Sequence, residues 1–148
     1  MEKRQKRIFL TSWDDDSHHN YRLAALLKKY NIPAVFYLTN AASQKMVSDL
    51  YQMGFEIGGH TTTHPEDMKR LSTEQTIFEI VTNKNYLEGI TKTKLKKFCY
   101  PGGKHNEHTK EVVRSLGFET ARTTNILCTR KAKDPLSTWT TIHARPNR

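Results

Sequence analysis

Two short polar stretches carry the residue types that could do chemistry. Three consecutive aspartates, Asp14 to Asp16, follow one apolar run, and two histidines four residues apart, His60 and His64, follow another. Two histidines and one carboxylate can bind zinc and leave a coordination position open, as a catalytic rather than a structural site requires. A neighbouring carboxylate that does not bind the ion is then free to act as a base towards water. Together the two stretches predict a metal-dependent hydrolase.

Neither stretch is specific when it is taken alone. The threonines between His60 and His64 favour a loop or a short turn, and no glutamate follows His60, which excludes the helical zinc-protease motif. The aspartates alone are equally consistent with a solvated turn or a helix cap. Three consecutive carboxylates repel one another, and a divalent cation would keep them ionised. This effect favours metal binding over the solvated turn or cap. The residue types leave open which aspartate would bind the ion and which would act as the base.

The apolar pattern predicts alternating strands and helices that would bring the two stretches together. Asn20 is the expected N-cap of the first helix, and Ser72 with Gln75 has the spacing of a capping box at the start of the third. Residues 138–143 are a candidate for one more strand. Alternating elements imply a mainly parallel sheet or barrel, with function at the carboxyl ends of the strands. Residues 14–16, His60, Gly102 and Arg122 would all lie at that edge. The predicted strands are 8–12, 34–38, 55–59, 95–100 and 118–122, and the predicted helices are 21–30, 41–53, 72–87 and 107–116.

Length and composition exclude several other classes of protein. The chain of 148 residues is long enough for one domain with a real core. Its mean hydropathy is −0.73, and no apolar run approaches the length of a membrane span. The two cysteines, Cys99 and Cys128, cannot form a disulfide framework and lack metal-type spacing. We therefore predict a polar-surfaced protein with two reduced thiols.

The charge is strongly positive, with 24 basic and 15 acidic side chains and a formal net charge of +9. This charge favours an acidic partner or an anionic surface. Nucleic-acid binding is not expected, because no basic-aromatic recognition motif accompanies the charge. Residues 1–7 read as a basic N-terminal arm and residues 8–148 as the domain. Since no apolar segment typical of a signal peptide follows the arm, the chain as written is predicted to be cytoplasmic, or extracytoplasmic if a leader has been removed.

Four segments follow one another between about residue 8 and residue 124. The first segment has Thr11-Ser12-Trp13-Asp14-Asp15, then the helix 22–30 and the apolar run 32–37. The second is Glu56-Ile57-Gly58-Gly59-His60-Thr61-Thr62-Thr63-His64-Pro65, the third is Phe98-Cys99-Tyr100-Pro101-Gly102-Gly103, and the fourth is Gly117-Phe118-Glu119-Thr120-Ala121-Arg122-Thr123-Thr124. In their order and spacing, these four segments resemble the polysaccharide deacetylase domain family, also called carbohydrate esterase family 4.

The resemblance implies a role for each matching residue. Asp14 would be the general base, and Asp15, His60 and His64 would bind a divalent metal, most often zinc. The implied reaction is hydrolysis of an N-acetyl, less often an O-acetyl, group on an oligosaccharide or polysaccharide by metal-activated water. The metal and a backbone N–H, that of Gly102, would hold the oxyanion.

This sequence also departs from the family pattern. Gly102 occupies the position of a tyrosine, and Asp16 that of a glycine. Cys99 stands where many members carry an arginine that orients the base. Arg122 on the next strand is a candidate replacement for that arginine, and an ordinary surface arginine is the alternative. His143 is the candidate for the family's late general acid, and an unremarkable histidine is the alternative.

Family domains usually extend further than this chain, so the resemblance implies a distorted or incomplete (β/α) barrel with a mainly parallel sheet, shortened at its C-terminus. Two alternatives compete with the hydrolase. One is a catalytically inactive relative that binds carbohydrate or metal, and the other is a basic nucleic-acid-binding domain in which the aspartates and histidines are incidental.

Overall fold

The structure is a computed structural model that describes residues 9–143. Five parallel strands form one sheet in the order β1-β2-β3-β4-β5, which curves into a half-barrel with helices between its strands. The predicted α/β fold with a parallel, incomplete barrel is confirmed. The strands are β1 (Thr11–Asp14), β2 (Ala34–Leu38), β3 (Glu56–Gly59), β4 (Lys97–Cys99) and β5 (Thr120–Arg122), and the helices are α1 (His19–Lys29), α2 (Gln44–Gln52), α3 (Thr73–Thr91) and α4 (Glu107–Ser115).

The core lies between the sheet and the helices, and β2 runs through its centre. Phe36 and Leu38 belong to the main apolar cluster, which includes buried residues of all four helices. Their neighbours Val35 and Tyr37 point to the other face of the sheet, where they form a small cluster with Cys99. Since every residue of β2 is buried, this strand needs an apolar side chain on both faces, which explains its continuous apolar run.

Local signals set the helix ends, with one exception. A capping box precedes α3, as predicted: the Ser72 side chain accepts from the Gln75 amide, and the Gln75 side chain accepts from the Ser72 amide. The predicted Asn20 cap of α1 is wrong, because the N-cap is His18 and Asn20 lies buried in the first turn. The Asn20 side chain instead donates a hydrogen bond to the carbonyl oxygen of Asp15, at 2.9 Å. It therefore fixes the loop between β1 and α1.

Residues 138–143 do not form the additional strand, so this prediction is also wrong. Thr138 makes a single parallel bridge to Arg122, and the segment after it hydrogen-bonds to the loop that follows β5. The predicted basic arm, residues 1–7, lies outside the described residues. Both cysteines are free, as predicted. None of the helices between residues 9 and 143 combines the length and the apolarity that crossing a membrane requires.

The space around two glycines, one on β3 and one on α3, predicts opposite effects for their substitution by alanine. An alanine Cβ at Gly58 would lie 2.4 Å from the Tyr37 ring, so we expect Gly58→Ala to lower the free energy of unfolding by about 1–3 kcal/mol. Gly89, exposed on α3, has no atom within 4 Å of such a Cβ. Gly89→Ala should therefore raise stability by up to about 1 kcal/mol. Urea denaturation measures both changes, and an unchanged midpoint for Gly58→Ala would contradict the packing described.

Candidate metal centre and active site

The register of the first three strands brings the two polar stretches to one edge of the sheet. Asp14 is the partner of Tyr37 on β2, and Gly59 is the partner of Leu38 on the other side of the same strand. The ends of β1 and β3 are therefore separated by two strand spacings, about 10 Å. Asp15 and His60, the next residue in each case, leave the strands towards each other across the end of β2.

Asp15, His60 and His64 come together at this edge. Oδ1 of Asp15 lies 3.7 Å from Nε2 of His60 and 3.7 Å from Nε2 of His64. These separations are too long for hydrogen bonds. They are close to the spacing of about 3.3 Å between two ligands of a tetrahedral zinc ion with bonds of about 2.0–2.1 Å. The donor set therefore fits one divalent ion, although ligation by these residues stays a prediction.

The His60 ring is held in the tautomer that a metal ligand needs. The residue is 1% exposed, and Nδ1 lies 2.8 Å from the carbonyl oxygen of Cys99. Because a carbonyl only accepts, Nδ1 carries the proton and Nε2 presents its lone pair towards Asp15. Burial lowers the pKa of His60, although the neighbouring Asp14 carboxylate opposes this effect. The imidazole is thus neutral at neutral pH, the state that binds metal.

The backbone at the site is strained. Asp15, Thr61 and His64 have φ angles of 69°, 68° and 55°, in the left-handed region. Such conformations cost residues other than glycine about 1–2 kcal/mol each. Strain of this kind persists where the surrounding structure holds it and is concentrated at functional sites.

Asp14, the predicted base, forms an ion pair with Arg122. Nη2 of Arg122 contacts both carboxylate oxygens of Asp14, and the same side chain donates from Nη1 to the carbonyl of Thr123 at 3.2 Å. Arg122 is 8% exposed. The surface-arginine alternative is therefore wrong, because the guanidinium lies inside the half-barrel on the Asp14 carboxylate.

Cys99 lies under this ion pair, with its Sγ 3.0 Å from Nη2 of Arg122. Asp14, His60 and Cys99 form a second group of residues with metal-binding atoms close together. The Arg122 guanidinium contacts both Asp14 and Cys99, and the Cys99 thiol also donates to Oδ2 of Asp14 at 3.7 Å. Burial raises the pKa of this thiol well above its usual value. A protonated thiol is a poor ligand. The Asp15, His60 and His64 group is therefore the better candidate for a metal site than this second group.

Asp16, the third aspartate, points away from the histidines. Its carboxylate accepts hydrogen bonds from the backbone N–H of Thr39, at 3.0 Å, and from the Thr39 hydroxyl. This contact ties the loop after β1 to the end of β2. Asp16, which stands where the family normally has glycine, therefore has a hydrogen-bond partner, Thr39, in this chain.

Two further predicted residues lie outside the strands. Gly102 is in a 3₁₀ turn, Pro101–Gly103, directly after β4, and its φ of 57° lies in the left-handed region that favours glycine. His143 is half-buried, and its Nε2 makes no hydrogen bond to any residue from 9 to 143. The oxyanion role of Gly102 and the general-acid role of His143 stay predictions.

Sequence reasoning missed three polar residues that support this site, Thr39, Glu79 and Asn83, and it gave a fourth, Asn20, the wrong role of a helix cap. Asn83 accepts from the His60 amide at 3.0 Å, and Glu79 accepts from the amides of the loop that follows. The sequence did contain a signal for Glu79 and Asn83. Together with Thr76, these polar residues interrupt the buried face of α3 at helical spacing.

Comparison with known proteins agrees with the fold and the motifs. The family profile for polysaccharide deacetylase matches residues 1–121. The chain therefore belongs to the polysaccharide deacetylase family. A search of the curated proteins finds no significant match.

Several solved structures share the fold. A deacetylase of Streptococcus pyogenes in complex with acetate has a TM-score of 0.85 and 24% identity over 95% of this chain and 66% of its own. A family 4 carbohydrate esterase from Streptomyces lividans in complex with acetate has a TM-score of 0.72 and 22% identity, over 80% of this chain and 63% of its own. A family 4 pseudoenzyme from Bacillus anthracis has a TM-score of 0.69 and 19% identity, over 76% and 42%. The chain thus spans less than two thirds of the length of each.

The burial of the two thiols predicts different reactivities. Cys99 is fully buried with a raised pKa, whereas Cys128 is half-buried in the loop after β5. Thiol reagents attack exposed thiolates, so a disulfide reagent should titrate one thiol rapidly in the native protein and the second only after denaturation. In Cys128→Ser the rapid phase should disappear. Rapid native labelling of Cys99, identified by mass spectrometry, would contradict the described packing.

Proposed function

We propose that this chain is a metal-dependent deacetylase that hydrolyses an N-acetyl, or less often an O-acetyl, group on an oligosaccharide or polysaccharide. The family supplies the reaction class, deacetylation of carbohydrate. The observation that carries the proposal is the Asp15, His60 and His64 donor set beside an aspartate that is not part of it. Acetate, present in two of the matched structures, is the product that such a reaction would release.

Asp15, His60 and His64 would hold the divalent ion. Nitrogen and oxygen ligands of this kind suit zinc, and other divalent metals can use the same set. When bound, the ion would supply Lewis acidity, which lowers the pKa of water and polarises the acetyl carbonyl. The chain's own contribution is to keep His60 neutral and buried and to hold Asp15 against both imidazoles.

Asp14 would accept the proton of the attacking water. Its carboxylate oxygen lies within 4.8 Å of a ring nitrogen of His60, so it borders the donor set. Arg122 would orient this base through its contact with both carboxylate oxygens. In this role Arg122 replaces the arginine that many family members carry at the Cys99 position. The backbone N–H of Gly102 is proposed to stabilise the oxyanion.

One alternative has a specific observation in its favour. The matched Bacillus anthracis protein is a pseudoenzyme of the same fold, and Cys99 replaces a base-orienting arginine here. An inactive relative would bind metal or carbohydrate without releasing acetate. The nucleic-acid alternative loses support, because three lysines of the basic segment 92–97 pair with glutamates: Lys94 with Glu88, Lys96 with Glu119, and Lys97 with Glu56.

Substitution of the base and of a ligand separates these alternatives. We expect Asp14→Asn to reduce acetate release from acetylated chitooligosaccharide or peptidoglycan fragments by at least about 100-fold while metal content is unchanged, since general-base catalysis contributes about 10²–10⁴-fold. His60→Ala should lose both metal and activity. Asp49→Asn, which removes a carboxylate paired with Lys45 on α2, is the control and should change neither. Full acetate release by Asp14→Asn would refute the base assignment, and a wild type that binds zinc but releases no acetate would favour the inactive relative.

The role of Arg122 is tested by moving the guanidinium to the neighbouring strand. Arg122→Gln should lower kcat by about 10–100-fold with zinc still bound, because the base loses its orientation. Adding Cys99→Arg to this variant should recover part of the loss. Arg114→Gln, an exposed change on α4, is the matched control for lost charge. A purely structural role would predict lower thermal stability without the kcat effect and without the recovery.

A further inference from the structure

We infer that Glu79 and Asn83 of α3 are positioning residues for the metal centre. They hold residues 60–64, here called the histidine loop, in the conformation in which both imidazoles face Asp15. The inference rests on the proposed metal site. It concerns two side chains that neither bind the ion nor touch the reacting atoms.

Glu79 holds the middle of the histidine loop. Its Oε2 accepts from the backbone N–H groups of Thr62 and Thr63, both at 2.9 Å, and its Oε1 accepts from the Thr63 hydroxyl at 2.6 Å. Its backbone carbonyl also accepts from the Thr62 hydroxyl at 3.0 Å. One residue therefore receives four hydrogen bonds from two consecutive loop residues, which fixes the chain between the two histidines.

Asn83 holds the start of the loop and ties it to β2. Its Oδ1 accepts from the His60 amide at 3.0 Å, and its Nδ2 donates to the Leu38 carbonyl at 3.0 Å and to the Asn40 side chain at 2.9 Å. Gly59 makes this approach possible, because an alanine Cβ there would lie only 3.0 Å from Oδ1 of Asn83. The position of His60 relative to the end of β2 is thereby set by one buried amide.

The histidine loop needs this support because its own conformation is unfavourable. The φ angles of Thr61 and His64 lie in the left-handed region. Within the histidine loop itself there is one hydrogen bond, from the His64 amide to the Thr61 hydroxyl at 3.2 Å. Without contacts from α3, the unfavourable φ angles would favour relaxation of the loop. Relaxation would move the two imidazoles apart and weaken any common ion they bind.

The residue types at these positions also indicate a role beyond packing. Positions 79 and 83 are one helical turn apart, so both side chains lie on the same face of α3. Both are buried, among residues of the core cluster such as Ile80 and Leu87. Within residues 9–143, Glu79 forms no ion pair with a lysine or arginine, and its carboxylate is stabilised by hydrogen bonds alone. A negative charge held in this way beside the histidine loop favours a bound cation electrostatically.

The inference is tested by comparing metal affinity with the stability of the metal-free protein. We expect Glu79→Gln and Asn83→Ala to weaken zinc binding by about 10–100-fold, the usual effect of losing a residue that orients a ligand. The control is Glu88→Gln, since Glu88 lies on the same helix and also accepts from a backbone amide, that of Leu95, at 2.8 Å. This control should lower the Tm of the metal-free protein and leave zinc affinity within about twofold of wild type. Affinity is measured by competition with a chromogenic chelator.

Each outcome decides one question. If Glu79→Gln and Asn83→Ala lower Tm but bind zinc as wild type does, the two residues are structural only and the inference is overturned. If wild type binds zinc, the variants bind it more weakly and no acetate is released, the inference holds and the proposed deacetylase activity fails. If wild type binds neither zinc, cobalt nor nickel, both fail together. Should Asn83→Ala not fold, the conservative Glu79→Gln decides the result alone.

Discussion

The parallel register of β1, β2 and β3 is the constraint on which the site depends. It places Asp14 and Gly59 on either side of the end of β2, so the residues that follow them approach each other. A slip of one residue in a strand turns every side chain to the opposite face. Such a slip in β1 would exchange Asp14 and Asp15. The hydrogen bonds of the sheet therefore decide which aspartate faces the histidines and which faces Arg122, a question that the residue types leave open.

The second constraint is the contact between the two edge strands. β1 and β5 lie at opposite edges of the sheet, yet Asp14 and Arg122 touch at their ends. This contact requires the sheet to curve, and the curvature gives the half-barrel its concave face, lined by Val35, Tyr37 and Cys99. The buried guanidinium is desolvated at a considerable cost, so its ion pair with the partly exposed Asp14 carboxylate contributes geometry rather than much net stability. Arg122 also lies over the Tyr37 ring at 5.5 Å, which limits the orientations of the guanidinium.

Features set by neighbouring residues in the chain could be predicted from the sequence, and features set by distant contacts could not. The apolar run of β2 and the capping box of α3 depend on local pattern, and both were predicted correctly. Asn20 is a good cap by type, but the Asp15 carbonyl takes its side chain instead. The burial of Arg122 depends on an aspartate 108 residues earlier, and no local pattern contains that contact. The predicted strand at 138–143 fails for a related reason, because only Thr138 meets β5.

The exchange of arginine for cysteine at position 99 does not by itself indicate an inactive site. Cys99 and Arg122 are register partners on adjacent parallel strands, so their side chains lie side by side on the same face of the sheet. A guanidinium on either strand can therefore reach the same carboxylate at the end of β1. The small thiol leaves room for Arg122, whose Nη2 lies 3.0 Å from Sγ, whereas two arginines would place like charges in contact. The cysteine and the displaced arginine are thus complementary, and together they retain the contact with Asp14 that an arginine on β4 would make alone.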